Sequence, residues 1–356
     1  MNNSNAFLQR LGLRYPIIQA PMAVVSTPAL AAAVSEAGGL GSLALGASSV
    51  EQARQLITQT KALTDKAFNV NVFCHLTPKR SQANEQEWVD YLSPQFSQFN
   101  AQPPEQLGEI YLSFLDNPDM LALFLEMKPP VVSFHFNVPS AEVVSQLKAQ
   151  GIYTMAAATN LQEAQAIEKV GIDAIVAQGI EAGGHRGMFD VKAPDDELTT
   201  QALVKLLSQH THLPIIATGG IMNGQDIKAA LGNGAAAAQL GTAFLLCPES
   251  ATNAGYRAKL KQQTTDNTAL TSAISGRPAR GIINSFMEAG KKYEPSKLPD
   301  YPIAYDVGKQ LNAAATKAGS DEFAAHWAGQ NVAKVRELPA AELVEILAKE
   351  LQTSFD

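Results

Sequence analysis

The residue that could most readily do chemistry in this 356-residue chain is His185, because of what surrounds it. Gln178-Gly179-Ile180-Glu181-Ala182-Gly183-Gly184-His185-Arg186-Gly187 ends a short apolar run with glycines around one imidazole. An imidazole whose ordinary pKa is about 6.5 can exchange a proton near neutral pH or donate to an anion, and glycines let backbone N–H groups approach a ligand with no Cβ in the way. The bland alternative is a histidine that caps a loop. His135 ends a second apolar run, Val131 to Phe136, and falls on the same side of the predicted sheet as His185. The other four histidines read differently: His210 and His212 sit in a polar connector and read as solvent-facing, while His75, beyond the third strand, and His326, in a carboxyl-terminal helix beside Trp327, read as structural. Cys74 and Cys247 are far apart and in no metal-like spacing, so neither a disulfide framework nor a zinc site is expected.

Two further groups of residues have chemistry in their spacing. Tyr301, Tyr305 and Lys309 are four residues apart, so a helix beginning near Tyr301, with Pro302 in its first turn, presents all three on one face. Two phenols and an ammonium suit an anion; a solvated lysine beside two half-buried tyrosines is the alternative that the residues alone favour. Thr218-Gly219-Gly220-Ile221 and Gln239-Leu240-Gly241-Thr242 follow the seventh and eighth strand candidates. In barrels of eight βα units, loops at those positions often hold a phosphate through backbone N–H groups, and Thr242 adds a hydroxyl. Gly38-Gly39-Leu40-Gly41 lies between a helix and a strand, the reverse of the order a dinucleotide fingerprint needs.

The elements that must position these groups alternate regularly. Strands are predicted at 16–20, 40–43, 67–73, 131–136, 152–155, 174–177, 214–218 and 235–240. Helices are predicted between them at 28–37, 50–63, 141–149, 161–170, 198–208 and 224–231. Ser140 and Asn160 read as N-caps, and Gly151 and Gly171 as left-handed stops. Eight strands with short connections predict right-handed βαβ units closing into a (βα)8 TIM barrel, with an open doubly wound sheet as the rival. Residues 75–130 read as helices and loops inserted after the third strand, and 246–304 as a small, mainly helical lid or substrate domain with little strand pattern. The expected organisation is therefore a barrel domain of residues 1–245 plus 305–356, with long alanine-rich helices from Tyr305 to Gly329 and from Ala340 to Leu351 packing back on it.

Composition excludes several classes of function. With 46% hydrophobic residues, 17% charged residues and a formal net charge of -7, the chain has a substantial core and no basic block for nucleic acid or an anionic membrane. The amino terminus is polar and shows no signal-peptide pattern, and no apolar run is long enough to span a bilayer. A cytoplasmic enzyme, monomeric or homodimeric, is the expectation.

At this point the chain resembles a known family. Pro16-Ile17-Ile18-Gln19-Ala20-Pro21-Met22-Ala23, Asn69 to Phe73, Gln178 to Gly187, Ala217 to Ile221 and Gln239 to Thr242 are similar, nearly end to end, to the nitronate monooxygenases, formerly called 2-nitropropane dioxygenases. FMN-dependent enoyl-acyl-carrier-protein reductases and some NADH:quinone reductases carry similar glycine motifs. Leu298-Pro299-Asp300-Tyr301-Pro302-Ile303-Ala304-Tyr305-Asp306-Val307-Gly308-Lys309 narrows the resemblance to the class I nitronate monooxygenases.

The resemblance implies a barrel with non-covalent FMN. Ala20 and Met22 would line the flavin, Asn71 and Gln178 would hydrogen-bond to it, and Gly183, Gly219, Gly220, Gln239, Leu240, Gly241 and Thr242 would hold it. His185 would be catalytic, with His135, Tyr301, Tyr305 and Lys309 on the substrate. The implied reaction oxidises alkyl nitronates such as propionate 3-nitronate with O2 to carbonyl compounds and nitrite, without NAD(P)H, as a detoxification. Three alternatives stay open. An NAD(P)H-dependent FMN reductase of quinones or enoyl thioesters needs a nicotinamide docking surface. A non-catalytic flavin-binding protein leaves the histidine without a task, and a sugar-phosphate barrel enzyme leaves Asn71, Gln178 and Met22 unexplained.

Overall fold

The structure, a computed structural model, describes residues 3–353. Its strands, in chain order, are β1 (Ile17–Gln19), β2 (Gly41–Ala44), β3 (Phe68–Phe73), β4 (Val131–His135), β5 (Tyr153–Ala158), β6 (Ala174–Gln178), β7 (Gly184–His185), β8 (Ile215–Thr218), β9 (Ala237–Leu240), β10 (Thr268–Thr271) and β11 (Ala279–Ile282). Eight of them pair in parallel in the order β1-β9-β8-β6-β5-β4-β3-β2. The ring closes where Gln19 N–H donates to the Leu40 carbonyl and Leu40 N–H to the Ile17 carbonyl, both at 2.9 Å. The closed barrel, rather than the open sheet, is the outcome.

Buried on both faces, these strands need apolar residues at nearly every position, and the two faces pack against different things. Ile17, Val70, Val132, Phe134, Ile175, Ala217 and Ala238 join the core between strands and surrounding helices. Their neighbours one residue along, among them Ile18, Val131, Val176, Ile216 and Ala237, fill the barrel interior. Because side chains alternate along a strand, the inward positions further along are Ala20, Asn71, Ser133 and His135, Gln178, Thr218 and Gln239. Apolar residues plug the amino-terminal layers of the barrel, and polar ones crown its carboxyl-terminal mouth.

The helices between the strands start where a side-chain oxygen satisfies an orphan N–H. Thr27, Ser49, Ser140, Asn160, Thr199 and Asn223 each accept from a backbone N–H in the first turn, and Ser49 with Gln52 completes a capping box. Gly151 and Gly171 take φ of +80° and +86° at the predicted stops. The last helix, Ala340–Thr353, packs on the helices Gly224–Gly232 and Pro28–Glu36, as a barrel helix should.

The segment 246–304 carries the expected helices, Ala254–Lys261 and Ser285–Gly290, and in addition a strand pairing that its sequence did not suggest. β10 and β11 form an antiparallel hairpin, and β7, at the end of the glycine loop, adds to it as a third strand through Ala279↔His185 and Arg280↔Gly184. The carboxyl-terminal region differs as well. The helix expected from Tyr305 to Gly329 spans Ile303–Lys317 and ends in a Schellman turn, with Ser320 N–H on the Ala315 carbonyl and Gly319 N–H on that of Thr316. His326 is therefore outside any helix. This helix packs chiefly on Gln82–Ser97 from the first insertion, sharing a second apolar core built from Trp88, Leu92, Phe96, Ile274, Phe286, Val307, Leu311 and Phe323. Among the described residues no helix is long and apolar enough to cross a membrane.

Candidate active site

The barrel mouth and the second core enclose a cavity of about 430 Å³. Every residue singled out from the sequence as a site residue lines it: His185, His135, Tyr301, Tyr305, Lys309, Ala20, Met22, Asn71, Gln178, Gly183, Gly219, Gly220, Gln239, Leu240, Gly241 and Thr242. One detail of that expectation is corrected. Tyr301 precedes the helix Ile303–Lys317 instead of starting it, and the Tyr301–Pro302 peptide bond is cis.

On one side of the cavity lie the glycine loops after β8 and β9. Gly219 and Gly220 have φ of +128° and +69°, which L side chains rarely adopt, and a Cβ on Gly219 would sit 2.6 Å from Thr200 Oγ1. Thr218 Oγ1 donates to the Gln239 carbonyl at 2.9 Å and so ties the two loops together. Thr242 Oγ1 accepts from Gly329 N–H at 2.9 Å, which leaves its hydroxyl proton for a ligand. Gly183 is needed where the chain passes residue 329: a Cβ there would lie 2.5 Å from Gly329 N.

Across the barrel mouth, the amides of Asn71 and Gln178 are half committed. Asn71 Nδ2 donates to the Ser133 carbonyl at 3.2 Å and to Ser133 Oγ at 2.9 Å, so what remains is the acceptor Oδ1. Gln178 Oε1 accepts from Gly187 N–H at 2.7 Å and Nε2 donates to the His185 carbonyl at 2.9 Å, so what remains is chiefly one N–H. One acceptor and one donor beside the apolar Ala20 and Met22 suit the edge of a flat heteroaromatic ring, with the glycine loops placed for a phosphate.

His185 lies in an aromatic box. Ring centroids of Trp327, Tyr301, Phe136 and Tyr305 are 5.3, 5.5, 5.7 and 5.9 Å from its own. Its Nε2 is 2.9 Å from Ser275 Oγ, and its backbone carbonyl also accepts from His135 Nε2 at 3.1 Å. Burial, with the neighbouring His135 and the cation of Arg277, pushes the His185 pKa down to about 3. Burial and Arg277 likewise push His135 down to about 4, so both rings are neutral at physiological pH. Behind them the Arg277 guanidinium lies 4.0 Å over the Phe136 ring and donates to the Met188 carbonyl. Burial pushes its pKa down to about 10, which still leaves it a cation, and no carboxylate of the described residues comes within ion-pairing distance. Phe136 itself has a φ of +79°, the kind of strain that folds hold at functional sites.

The phenols are all proton donors at neutral pH. Burial raises the Tyr301 pKa, and its hydroxyl is buried with no partner. Burial pushes Tyr305 and Tyr111 up to about 12. The Tyr111 hydroxyl accepts from Lys309 Nζ at 2.7 Å, with that ammonium exposed at the mouth. Tyr111, Trp327, Ser275 and Arg277 were not singled out by sequence. Tyr111 sits in an aperiodic, proline-rich insertion, and Trp327 falls in the stretch beyond Lys317 that was read as helix but is not one. Ser275-Gly276-Arg277-Pro278 did carry a signal, since Ser-Gly and Pro after a β-branched run mark a hairpin turn. His75 and His326, read as structural, are both buried near the site: His75 lies 5.1 Å from the Tyr301 ring, and His326 stacks on Tyr256 at 4.7 Å and lines the cavity.

Comparison with known proteins bears on the chain as a whole. The sequence model of a family described as nitronate monooxygenase matches residues 5–350. A nitronate monooxygenase of Paraburkholderia phytofirmans is 56% identical over 351 residues, covering 99% of this chain and 96% of that protein. One from Pseudomonas aeruginosa is 52% identical, covering 98% and 99%. Among solved structures, a nitroalkane oxidase from Streptomyces ansochromogenes superposes with a TM-score of 0.89 at 39% identity, covering 99% of this chain and all of that one.

Proposed function

Because the chain belongs to the nitronate monooxygenase family, we propose that it binds FMN non-covalently and oxidises alkyl nitronates such as propionate 3-nitronate with O2 to the carbonyl compound and nitrite. Gly219, Gly220, Gly241 and Thr242 would hold the phosphate. Asn71 Oδ1 would accept from the ring's N–H, the remaining Gln178 N–H would donate to it, and Ala20 and Met22 would cover its apolar face. When bound, the flavin supplies the electron-accepting ring that neither histidine nor tyrosine can provide.

The observation that carries the choice of substrate is the charge pattern around His185. A buried guanidinium with no carboxylate of the described residues in ion-pairing contact stands behind the histidines, and an unpartnered, buried Tyr301 hydroxyl faces the same cluster. A site of this kind is completed by an anion, whereas a neutral thioester, though its carbonyl can accept from Tyr301, brings no counter-charge for the buried cation. Tyr301 would donate to a nitronate oxygen, and Tyr305 and Lys309 would offset the negative charge on the side of the mouth. His185 and His135, being neutral, orient the substrate and are the groups there that can take up or return a proton. The reading also assigns the protein a protective role against nitro-acid poisons.

The test uses the purified yellow protein with propionate 3-nitronate or NADH in separate anaerobic cuvettes, followed by nitrite analysis in air. Bleaching by the nitronate and nitrite release without NAD(P)H are expected. Rapid bleaching by NADH, with no effect of nitronate and no nitrite, would overturn the proposal in favour of a reductase.

A further inference from the structure

His185 has two ring nitrogens, and what each can do is decided by where its single proton sits when the ring is neutral. The partner of Nε2 is Ser275 Oγ, at 2.9 Å. Ser275 is completely buried, and its hydroxyl is also 3.2 Å from the Arg277 carbonyl. A carbonyl only accepts, so the serine proton goes to Arg277; the serine oxygen is then left to accept from Nε2–H. The opposite arrangement, with serine donating to a bare Nε2, would strand the Arg277 carbonyl without its donor in a buried turn. We infer that Ser275 is a positioning residue that fixes His185 as the Nε2–H tautomer and leaves Nδ1 as the ring's only site for taking up a proton.

The backbone around this pair is over-determined, which is what a tautomer lock requires. β7 carries His185 and is paired to β11 through Ala279↔His185, while Arg186 N–H donates to the Pro278 carbonyl at 2.8 Å. These bonds hold the histidine against the turn that carries Ser275. From the other side, the His185 carbonyl accepts from both Gln178 and His135. The same logic fixes the second ring: a carbonyl cannot donate, so His135 also holds its proton on Nε2 and presents Nδ1 as its lone pair. Ser275 touches neither the cavity nor, on the reading above, the substrate. Its influence passes wholly through His185, so this inference rests on His185 having the role proposed for it.

The experiment is nitrogen-15 NMR of the holoprotein labelled at histidine, with His185 assigned by comparison with His185→Asn. Wild type is expected to show a protonated Nε2 and a bare Nδ1 at neutral pH. Ser275→Ala should shift His185 toward a mixture of tautomers while the flavin spectrum is kept. Its kcat on propionate 3-nitronate should fall about tenfold or more with KM little changed, a part of the 10²–10⁴ that a positioned acid–base group contributes. Ser275→Thr, which keeps the hydroxyl, should recover much of both. An Nδ1–H tautomer in wild type overturns the inference, and so does an unaltered tautomer in Ser275→Ala. The wild-type spectrum decides the matter even where a variant does not fold. Full activity of His185→Asn would remove the catalytic reading of His185, but not the tautomer lock, which the spectra report independently.

Discussion

The two histidines were the residues most legible in the sequence, and the charge that governs them was the least. His185 and His135 could be picked out because each follows an apolar run on the catalytic side of a parallel barrel, and the structure brings both to one cavity. Arg277 is distant in sequence and embedded in a turn, so nothing local announces that its cation stands behind both rings. Replacing His185 with asparagine keeps a polar group of similar reach but removes the titratable nitrogen; the variant is expected to retain FMN and lose at least about 100-fold in kcat. Nitrite release and flavin absorbance on the same sample check it, and wild-type turnover removes His185 from the mechanism. A second prediction follows from the directions of the pKa shifts. His185, His135 and His75 are all pushed down, to about 3, 4 and 4, from an ordinary value of about 6.5. Below about pH 6.5 the unfolded chain takes up protons that the folded one refuses. Stability is therefore full above that pH and declines as pH falls toward 4. Melting temperature measured from pH 7 to pH 4 should drop, and more shallowly in His135→Gln; a flat profile in wild type contradicts the assignment of neutral, buried rings.

At the scale of elements, the eight barrel strands and six intervening helices were readable because local signals agreed with one another. Strand periodicity, N-cap residues such as Ser140 and Asn160, and stop glycines at 151 and 171 all marked the same boundaries. The hairpin of β10 and β11 was missed for a physical reason. Thr268–Thr271 is half-buried along its whole length, and Ala279–Ile282 contains an arginine and a glycine, so neither shows an apolar alternation. The overlong carboxyl-terminal helix came from reading alanine content through Gly319, whose φ of +81° is the stop. The turn of the hairpin is where element geometry meets the site. Gly276 has φ +81°, and a Cβ there would lie 2.3 Å from the Pro299 carbonyl oxygen and 3.0 Å from Tyr301 N. Gly276→Ala should cost at least about 2 kcal/mol from backbone strain and clash. Because the clash falls on the Pro299 carbonyl and crowds the backbone nitrogen of Tyr301, KM for the nitronate should rise more than FMN affinity falls. Denaturant melts with parallel kinetics test this, and unchanged stability together with unchanged KM would mean that the turn does not set the position of Tyr301.

Across the whole molecule, the barrel core and the core shared by the helices Gln82–Ser97 and Ile303–Lys317 divide the labour, and only the first follows from the barrel pattern. The barrel core is assembled from neighbours in sequence, strand after helix, and is legible for that reason. The second gathers Trp88 and Phe96 from the first insertion with Ile274, Phe286, Leu311 and Phe323 from far later in the chain, and no local period foretells such a meeting. Its consequence is functional. The helix Ile303–Lys317 turns Val307 and Leu311 into that core and contributes Tyr305 and Lys309 to the cavity, so under the proposed function the substrate side of the site would be held by the second core and the cofactor side by the barrel. Leu311 is fully buried, and Leu311→Ala removes packing worth about 2–5 kcal/mol. If the two cores are separately cooperative, the loss appears first as local opening of residues 82–97 and 303–317, with a higher KM and normal FMN retention. The matching deletion in the barrel, Leu207→Ala, should instead lower the global melting temperature and release FMN. Hydrogen exchange on both variants separates the outcomes: equal loss of protection in barrel and second core for Leu311→Ala would show that the fold opens as one unit and that the substrate wall has no stability of its own to tune.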